Sequence, residues 1–159
     1  MIAGVVLAAG ASSRYGTDPP KQAVHLPAVL AALRELDDVV VVLGAHEIET
    51  DARTVHCPDW ERGPGASLRC GLTAIDAEAA VVVLADGPQL DQRAVDRVVA
   101  SWRDEGGDVV AASYGGVRLH PVLLARAAWG HVPDQGAKEL PARLVPCDDL
   151  TPPGDVDES

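Results

Sequence analysis

A glycine-rich stretch near the start of the chain has the residue types of an anion-binding turn. It follows an apolar run and reads Leu7-Ala8-Ala9-Gly10-Ala11-Ser12-Ser13-Arg14-Tyr15-Gly16, with Pro20-Lys21 after it. Gly10 and Gly16 allow the backbone to approach an anion closely, and residues 9–13 can present consecutive N–H groups to a phosphate. Arg14 and Lys21 add cations that reach phosphate oxygens. The spacing matches neither a Walker A loop nor the dinucleotide-binding fingerprint. The stretch taken alone therefore also fits an ordinary turn between a strand and a helix.

A carboxylate follows a second apolar run. Asp86 comes directly after residues 81–85 and opens the sequence Asp86-Gly87-Pro88. A carboxylate at the end of a buried parallel strand faces the ligand crevice. It also suits Mg²⁺, which proteins bind through one or two carboxylates plus substrate phosphates. Because Asp-Gly-Pro also favours a turn, the residues alone leave a metal ligand and a turn-opening residue as alternatives.

A third stretch combines two glycines with a serine at the predicted start of a helix. Gly63 and Gly65 permit close approach of another group, and Ser67 supplies a hydroxyl that both donates and accepts hydrogen bonds. Ser67 equally fits a residue that caps the helix or lies in its first turn.

Residues in the second half of the chain have ordinary alternatives to a functional role. His120 fits a turn residue, and Lys138 fits a solvated residue of a late helix that Asp134-Gln135-Gly136-Ala137-Lys138 would open. Asp155 and Asp157 fit a solvated acidic tail.

Taken together, these stretches resemble the MobA-like NTP transferases, and more closely the molybdenum cofactor cytidylyltransferase branch of that family. The first stretch is similar to the family's signature loop, which with its lysine holds the NTP phosphates. The resemblance implies a Rossmann-like nucleotidyltransferase fold and a nucleotide-binding set of Leu7, Ala8, Ala9, Gly10, Ser12, Ser13, Arg14, Lys21, Gly65 and Ser67. The last two belong to an element that is similar to the family's Gly-x-Gly-x-Ser-Leu, which lines the base and ribose.

The same resemblance implies a metal site and an acceptor site. Asp86 lies in an Asp-x-Pro motif that holds the family's metal, and Asp155 and Asp157 resemble the stretch that brings its second carboxylate. Segments that are similar to the family's Gly-x-Arg-Gly-His-Pro-Val and Gly-Asp-x-Gly-Ala-Arg motifs imply that Arg118, His120 and Lys138 bind the acceptor. The catalytic residues implied are Arg14, Lys21 and Asp86.

The activity implied is transfer of an NMP from an NTP to a phosphorylated small-molecule acceptor, with Mg²⁺ as cofactor and pyrophosphate as the leaving group. Ala8-Ala9-Gly10 resembles the cytidylyl branch, which favours CTP and a molybdopterin-type acceptor. The alternatives are a guanylyltransferase, a sugar- or alditol-phosphate nucleotidyltransferase, and a non-catalytic nucleotide-binding protein.

Apolar runs that alternate with helical stretches would position these residues. Continuous β-branched runs predict buried strands, and periodic stretches predict helices, the last with Asp91 as its N-cap. Strands are predicted at residues 2–8, 39–43, 80–85 and 109–112, and helices at 27–36, 66–75 and 91–105. This alternation predicts one α/β domain over residues 1–150, with three layers and a mostly parallel sheet. After Leu144 the pattern decays, and residues 151–159 are expected to form an acidic tail.

Composition narrows the classes of protein. The 159 residues are 47 % hydrophobic, which excludes a fully disordered chain, and carry a formal net charge of −11, which argues against a nucleic-acid partner. Three cysteines at no metal-like spacing indicate free thiols. No apolar run approaches the length of a membrane span, and no basic segment precedes the first apolar run. We therefore expect no membrane partner and a cytoplasmic location.

Overall fold

A computed structural model describes residues 1–8, 21–44 and 50–154, and of residues 21–24 it describes the backbone alone. The strands are β1 (Ile2–Ala8), β2 (Asp38–Leu43), β3 (Arg53–His56), β4 (Ala79–Leu84), β5 (Val109–Tyr114), β6 (Val117–Ala125) and β7 (Arg143–Pro146). The α-helices are α1 (Lys21–Ala32), α2 (Pro64–Leu72) and α3 (Gln92–Glu105). Short 3₁₀ turns span Trp60–Arg62, Arg126–His131 and Ala137–Glu139.

All seven strands form one sheet, in the order β3-β2-β1-β4-β6-β5-β7. β1 runs parallel to β2 and β4, β2 parallel to β3, and β5 parallel to β7. β6 runs antiparallel to β4 and β5. The prediction of a mostly parallel sheet is confirmed.

Helices cover both faces of this sheet. On one face Leu26, Val29 and Leu33 from α1 and its end pack with Val95 and Val98 of α3. On the other face Leu68 and Leu72 of α2 pack with Ala128 and Val132. Because the strands are buried on both sides, their sequences are continuously apolar rather than alternating. The three-layer α/β domain is thus confirmed.

The predicted helices exist, with shifted ends. Asp91 caps α3 as expected, since its side chain accepts a hydrogen bond from the Arg93 N–H at 2.8 Å. The first helix was placed at residues 27–36, but α1 begins at Lys21 and includes Pro27 on its exposed side. It ends at Ala32, because hydrogen bonds between residues three apart follow. The Leu33 N–H donates to the Leu30 oxygen, and the Leu36 N–H donates to the Leu33 oxygen. The second helix is α2, at residues 64–72 instead of 66–75.

The predictions for the second half of the chain need correction. Residues 115–123 belong largely to β6, which follows β5 through a turn where Gly115 and Gly116 have φ of +59° and +83°. Both values are left-handed, as a two-residue hairpin turn requires. The late helix expected from residue 134 is wrong, because only a 3₁₀ turn forms at Ala137–Glu139. The sequence pattern also failed to predict β7, which lies where the pattern decays near Leu144 and which pairs with β5.

No helix among the described residues is long and apolar enough to cross a membrane.

Candidate functional site

The carboxyl ends of β1 and β4 meet at the point where the order of the sheet reverses. The two strands are parallel neighbours, Leu7 lies opposite Leu84, and the Ala85 N–H donates to the Leu7 oxygen at 3.0 Å. From β1 the chain continues one way to β2, whereas β4 and the strands beyond it lie on the other side. Ligands of open α/β sheets bind in such a crevice. Leu7, Ala8 and Asp86 therefore lie at the same edge of the sheet, where the parallel strands β1 and β4 end.

The predicted phosphate-binding stretch follows β1 in the sequence, and most of it lies outside the described residues. This holds for Ala9, Gly10, Ser12, Ser13 and Arg14. Lys21 is the first residue of α1, and its side chain is not described.

The antiparallel strand β6 brings a third group of residues to the same edge. Val82 near the end of β4 lies opposite Val122, so the first half of β6 continues past the end of β4. That half contains Arg118 and His120. Residues far apart in the sequence thus converge because β6 enters the sheet at the edge where β4 leaves it.

A cavity of about 490 Å³ occupies this edge. Its lining is largely apolar, with a few polar side chains, which is the usual composition of a small-molecule site. The predicted residues that line it are Leu7, Arg118, His120 and Lys138. Pro64 and Leu68 from α2 also contribute, together with residues of the turn after β4.

Asp86 is half-buried in that turn. The Gly87 N–H donates to the Leu84 oxygen at 3.3 Å, and the Leu90 N–H donates to the Gly87 oxygen at 3.2 Å. Asp86 therefore occupies a hydrogen-bonded turn and also lies at the end of β4. The two alternatives of the sequence are compatible with each other.

The chain after β7 returns to the same turn. The Gln89 N–H donates to the Pro153 oxygen at 2.8 Å, and a Cβ at Gly87 would lie 3.4 Å from the Pro153 Cβ. Pro153 and Gly154 line the cavity. The predicted second pair of carboxylates, Asp155 and Asp157, lies outside the described residues.

The start of α2 is built around close contact with another part of the main chain. A Cβ at Gly65 would lie 1.6 Å from the Pro133 oxygen, and one at Gly63 would lie 2.4 Å from the Asp134 oxygen. The glycines were predicted to permit close approach, and the group that approaches here is residues 133–134. Ser67 is 3 % exposed, and no described residue offers its hydroxyl a hydrogen bond.

The three predicted acceptor residues differ in their surroundings. Arg118 donates from Nη1 to the Leu140 oxygen at 2.6 Å and from Nη2 to the Ala137 oxygen at 2.8 Å. Desolvation lowers the pKa of its guanidinium. The His120 oxygen accepts a hydrogen bond from the hydroxyl of Tyr114 at 3.2 Å, and burial raises the pKa of that phenol to about 12. Lys138 is exposed on its 3₁₀ turn.

Sequence reasoning missed an ion-pair network beside the cavity. The Asp134 carboxylate accepts hydrogen bonds from Arg69 at 2.5 Å and from Arg62 at 3.4 Å. The hydrogen bond from Arg69 is the main reason why the pKa of Asp134 lies below its ordinary value. Asp134 stood in a recognised motif, but nothing in the spacing indicated Arg69 as its partner.

The carboxylate of Asp86 is a possible metal ligand at the end of β4. Among the described residues, no group of three or more His, Cys, Asp or Glu side chains could hold an ion alone. A carboxylate such as Asp86, with phosphate oxygens, matches the way in which Mg²⁺ is usually bound.

The family model of the MobA-like NTP transferase domain matches residues 4–145. The chain belongs to this family. A homologue of Mycobacterium tuberculosis rv0371c from Mycobacterium sp. strain JC1 superposes with a TM-score of 0.76 at 28 % identity, over 95 % of this chain and 88 % of that one. Rv0371C of M. tuberculosis H37Rv, solved as a manganese complex, gives 0.73 at 26 % identity, over 98 % and 92 %.

A more distant structure shares the fold alone. CMP:2-keto-3-deoxy-manno-octonic acid synthetase, solved with CTP, has a TM-score of 0.74 at 12 % identity, over 97 % of this chain and 92 % of that one. No curated protein sequence matches the chain.

Proposed function

We propose that this member of the MobA-like family transfers an NMP, CMP by preference, from an NTP to a phosphorylated small-molecule acceptor and releases pyrophosphate. One observation carries the proposal. The end of β1, which leads into the glycine-rich stretch, Asp86 after β4 and the cavity that contains Arg118, His120 and Lys138 share one edge of the sheet. In this proposal the nucleotide site and the acceptor site are adjacent, as transfer between two bound substrates requires.

The reaction needs positioning and charge stabilisation rather than an acid–base pair. An acceptor phosphate oxygen attacks the α-phosphorus, a new P–O bond forms, and the bond to the β-phosphate oxygen breaks as pyrophosphate leaves. The acceptor phosphate is already ionised at neutral pH, so no proton must be removed. In this proposal the amides of residues 9–13, with Arg14 and Lys21, hold the triphosphate and stabilise the leaving group.

We assign the metal to Asp86, with Asp155 or Asp157 as a second carboxylate. The segment that precedes them reaches the Asp86 turn, since the Pro153 oxygen accepts from Gln89. Mg²⁺ would supply charge neutralisation of the nucleotide phosphates at this position. The manganese complex of Rv0371C supports a divalent ion in a related protein.

Gly65 and Ser67 belong in this proposal to the nucleotide side, and Arg118, His120 and Lys138 to the acceptor side. Pro64 and Leu68, which flank the first pair, line the same cavity as the second group. The buried Ser67 hydroxyl keeps its hydrogen-bonding capacity for a ligand, because no described residue uses it.

CTP preference rests on Ala9, whose methyl group leaves less room for a purine than the glycine of the guanylyl branch. A synthetase that shares the fold was solved with CTP, which supports this preference. A molybdopterin-type acceptor follows from the resemblance to the cytidylyl branch, and sugar and alditol phosphates are the other acceptors to test.

Asp86→Asn tests the proposal. The substitution removes the charge of a proposed metal ligand and almost no volume. It should therefore abolish the release of pyrophosphate from CTP when Mg²⁺ and a panel of phosphorylated acceptors are supplied. It should also remove most of the gain in CTP affinity that Mg²⁺ gives in calorimetry. Asp76→Asn is the matched control, because Asp76 is exposed and paired with Arg126 away from the cavity. Undiminished turnover or an unchanged Mg²⁺ effect in Asp86→Asn would contradict the assignment.

A further inference from the structure

Residues 133–140, here called the wall segment, form one side of the cavity with little secondary structure of their own. Gln135, Gly136, Ala137 and Lys138 line the cavity. The segment contains one 3₁₀ turn, closed by hydrogen bonds from the Glu139 N–H to the Gly136 oxygen and from the Leu140 N–H to the Ala137 oxygen. Such a short turn does not fix a segment by itself, so its position depends on contacts with its surroundings.

One end of the wall segment is docked on α2. The Gly65 N–H donates to the Asp134 oxygen at 2.8 Å. Arg69 donates from Nη1 to the Val132 oxygen at 2.6 Å and from Nη2 to the Asp134 carboxylate at 2.5 Å. Main-chain and side-chain groups thus hold residues 132–134 against the start of the helix.

The other end is held by Arg118. Its two terminal nitrogens donate to the oxygens of Ala137 and Leu140, the two residues that bracket Lys138 and Glu139. Hydrogen bonds from a charged donor are stronger than neutral ones. The planar guanidinium can span two carbonyls in a way that a single ammonium cannot.

We infer that Arg118 is a positioning residue, which acts on the acceptor by fixing the wall segment and thereby Lys138. The two terminal nitrogens of the Arg118 guanidinium already bind main-chain oxygens. They are therefore poorly placed to bind a phosphate in a bidentate manner. The mechanical part of this inference concerns the segment alone. Its consequence for the acceptor rests on the proposed function.

The mechanical part is tested by hydrogen exchange of the segment's amides, followed by mass spectrometry. In Arg118→Met, exchange at Gly136, Glu139 and Leu140 should become faster by roughly tenfold or more, because two charge-assisted hydrogen bonds are lost. Arg118→Lys keeps the charge but cannot donate to both carbonyls at once. It should therefore show most of the same increase in the rate of exchange. Exchange in β4 should stay unchanged in both variants, which separates local loosening from global unfolding.

Arg126→Met is the matched control. Arg126 also donates to a main-chain oxygen, that of Ala77, but lies near the amino end of β4, away from the cavity. It should leave exchange in the wall segment within about twofold of the parent protein. The inference is overturned if Arg118→Met also stays within that range, or if Arg118→Lys protects the segment fully.

The chain's two lysines, Lys21 and Lys138, offer a second measurement. Acylation with acetic anhydride, followed by mass spectrometry, should show an altered rate at Lys138 in both Arg118 variants, with Lys21 as the internal reference. An unchanged ratio of the two rates would count against the inference.

The functional part uses turnover with whichever acceptor of the panel supports pyrophosphate release. Arg118→Met should raise the acceptor KM several-fold and leave the KM for CTP unchanged. In the background of Lys138→Met it should have little further effect, because Arg118 would then have no cation to position. Additive effects would indicate direct contact with the acceptor and refute the positioning role. If no acceptor supports turnover while the exchange results hold, the proposed function fails and the mechanical inference stands.

Discussion

Gly65→Ala should destabilise this protein, although a glycine in a helix is usually a favourable place for alanine. An alanine Cβ at this position would lie 1.6 Å from the Pro133 oxygen and 2.6 Å from the Pro133 carbonyl carbon. The oxygen would have to retreat by about 1.8 Å to reach an ordinary contact of 3.4 Å. Such a retreat also breaks the hydrogen bond from the Gly65 N–H to the Asp134 oxygen.

The expected change in the free energy of unfolding is the balance of one stabilising and two destabilising effects. Alanine in place of glycine at a compatible helical position stabilises by roughly 0.4–1 kcal/mol, through the entropy of the unfolded chain. Overpacking costs roughly 1–3 kcal/mol, and the lost hydrogen bond costs about 1 kcal/mol. We expect a net loss of roughly 1–3.6 kcal/mol, which for a chain of this size lowers Tm by about 2–14 °C.

Thermal unfolding of the two proteins measures the loss, and Gly130→Ala provides the control. Gly130 also lies in a helical turn, but a Cβ there would meet nothing within 4 Å. Its alanine variant should melt within roughly 2 °C of the parent protein. Because the displaced group begins the wall segment, Gly65→Ala should also speed amide exchange at Gly136. A Gly65→Ala protein that melts at or above the parent Tm would refute the close docking of α2 on residues 133–134.

Three further predictions concern the nucleotide and the metal. Lys21→Ala should weaken CTP binding more than CMP binding in calorimetric titrations, because the cation is assigned to the outer phosphates; equal losses would contradict that assignment. CTP should outcompete GTP in the presence of Mg²⁺, and tighter GTP binding would exclude the cytidylyl preference while leaving the transferase proposal intact. Truncation after Gly154 should cost turnover heavily and CTP affinity moderately, with little change in the Tm of the unliganded protein. Full activity of the truncated chain would remove Asp155 and Asp157 from the metal site.

Sequence patterns predicted the parallel half of the sheet well, because a strand that is buried on both faces is a continuous run of apolar residues. β1 and β4 are continuous runs of apolar residues, and Asp86 interrupts the second run where the strand ends. β6 is not apolar over its whole length. Its first four residues, which include Arg118 and His120, are exposed or half-buried, and the buried part begins only at Pro121. Antiparallel pairing with β4 and β5, rather than local pattern, makes it a strand.

The short edge strand β7 was missed for a related reason. Its four residues alternate between half-buried and exposed positions and end in Pro146. Pairing with β5, about thirty positions earlier in the chain, stabilises it. Such long-range pairing leaves little local signal, since loop closure and strand pairing are decided by tertiary contacts.

The glycines before α2 show a different limit of sequence reasoning. A glycine pattern predicts that something approaches the backbone closely, but it does not name the group. Gly63 and Gly65 were expected to make room for a nucleotide, and the closest neighbours of their missing side chains are the oxygens of Asp134 and Pro133. The requirement for glycine was predicted from the sequence, whereas its partner, seventy residues away, required the fold.

The arginines around the cavity explain how an acidic chain can favour anionic substrates. With a formal net charge of −11, the protein as a whole repels nucleotides, so local cations must remain uncompensated near the site. The charge of Arg69 is balanced by the Asp134 carboxylate. Arg118 instead donates to two neutral carbonyls, and no carboxylate of the described residues pairs with it. It therefore fixes the wall segment, and with it the exposed cation Lys138, without bringing a carboxylate to the cavity.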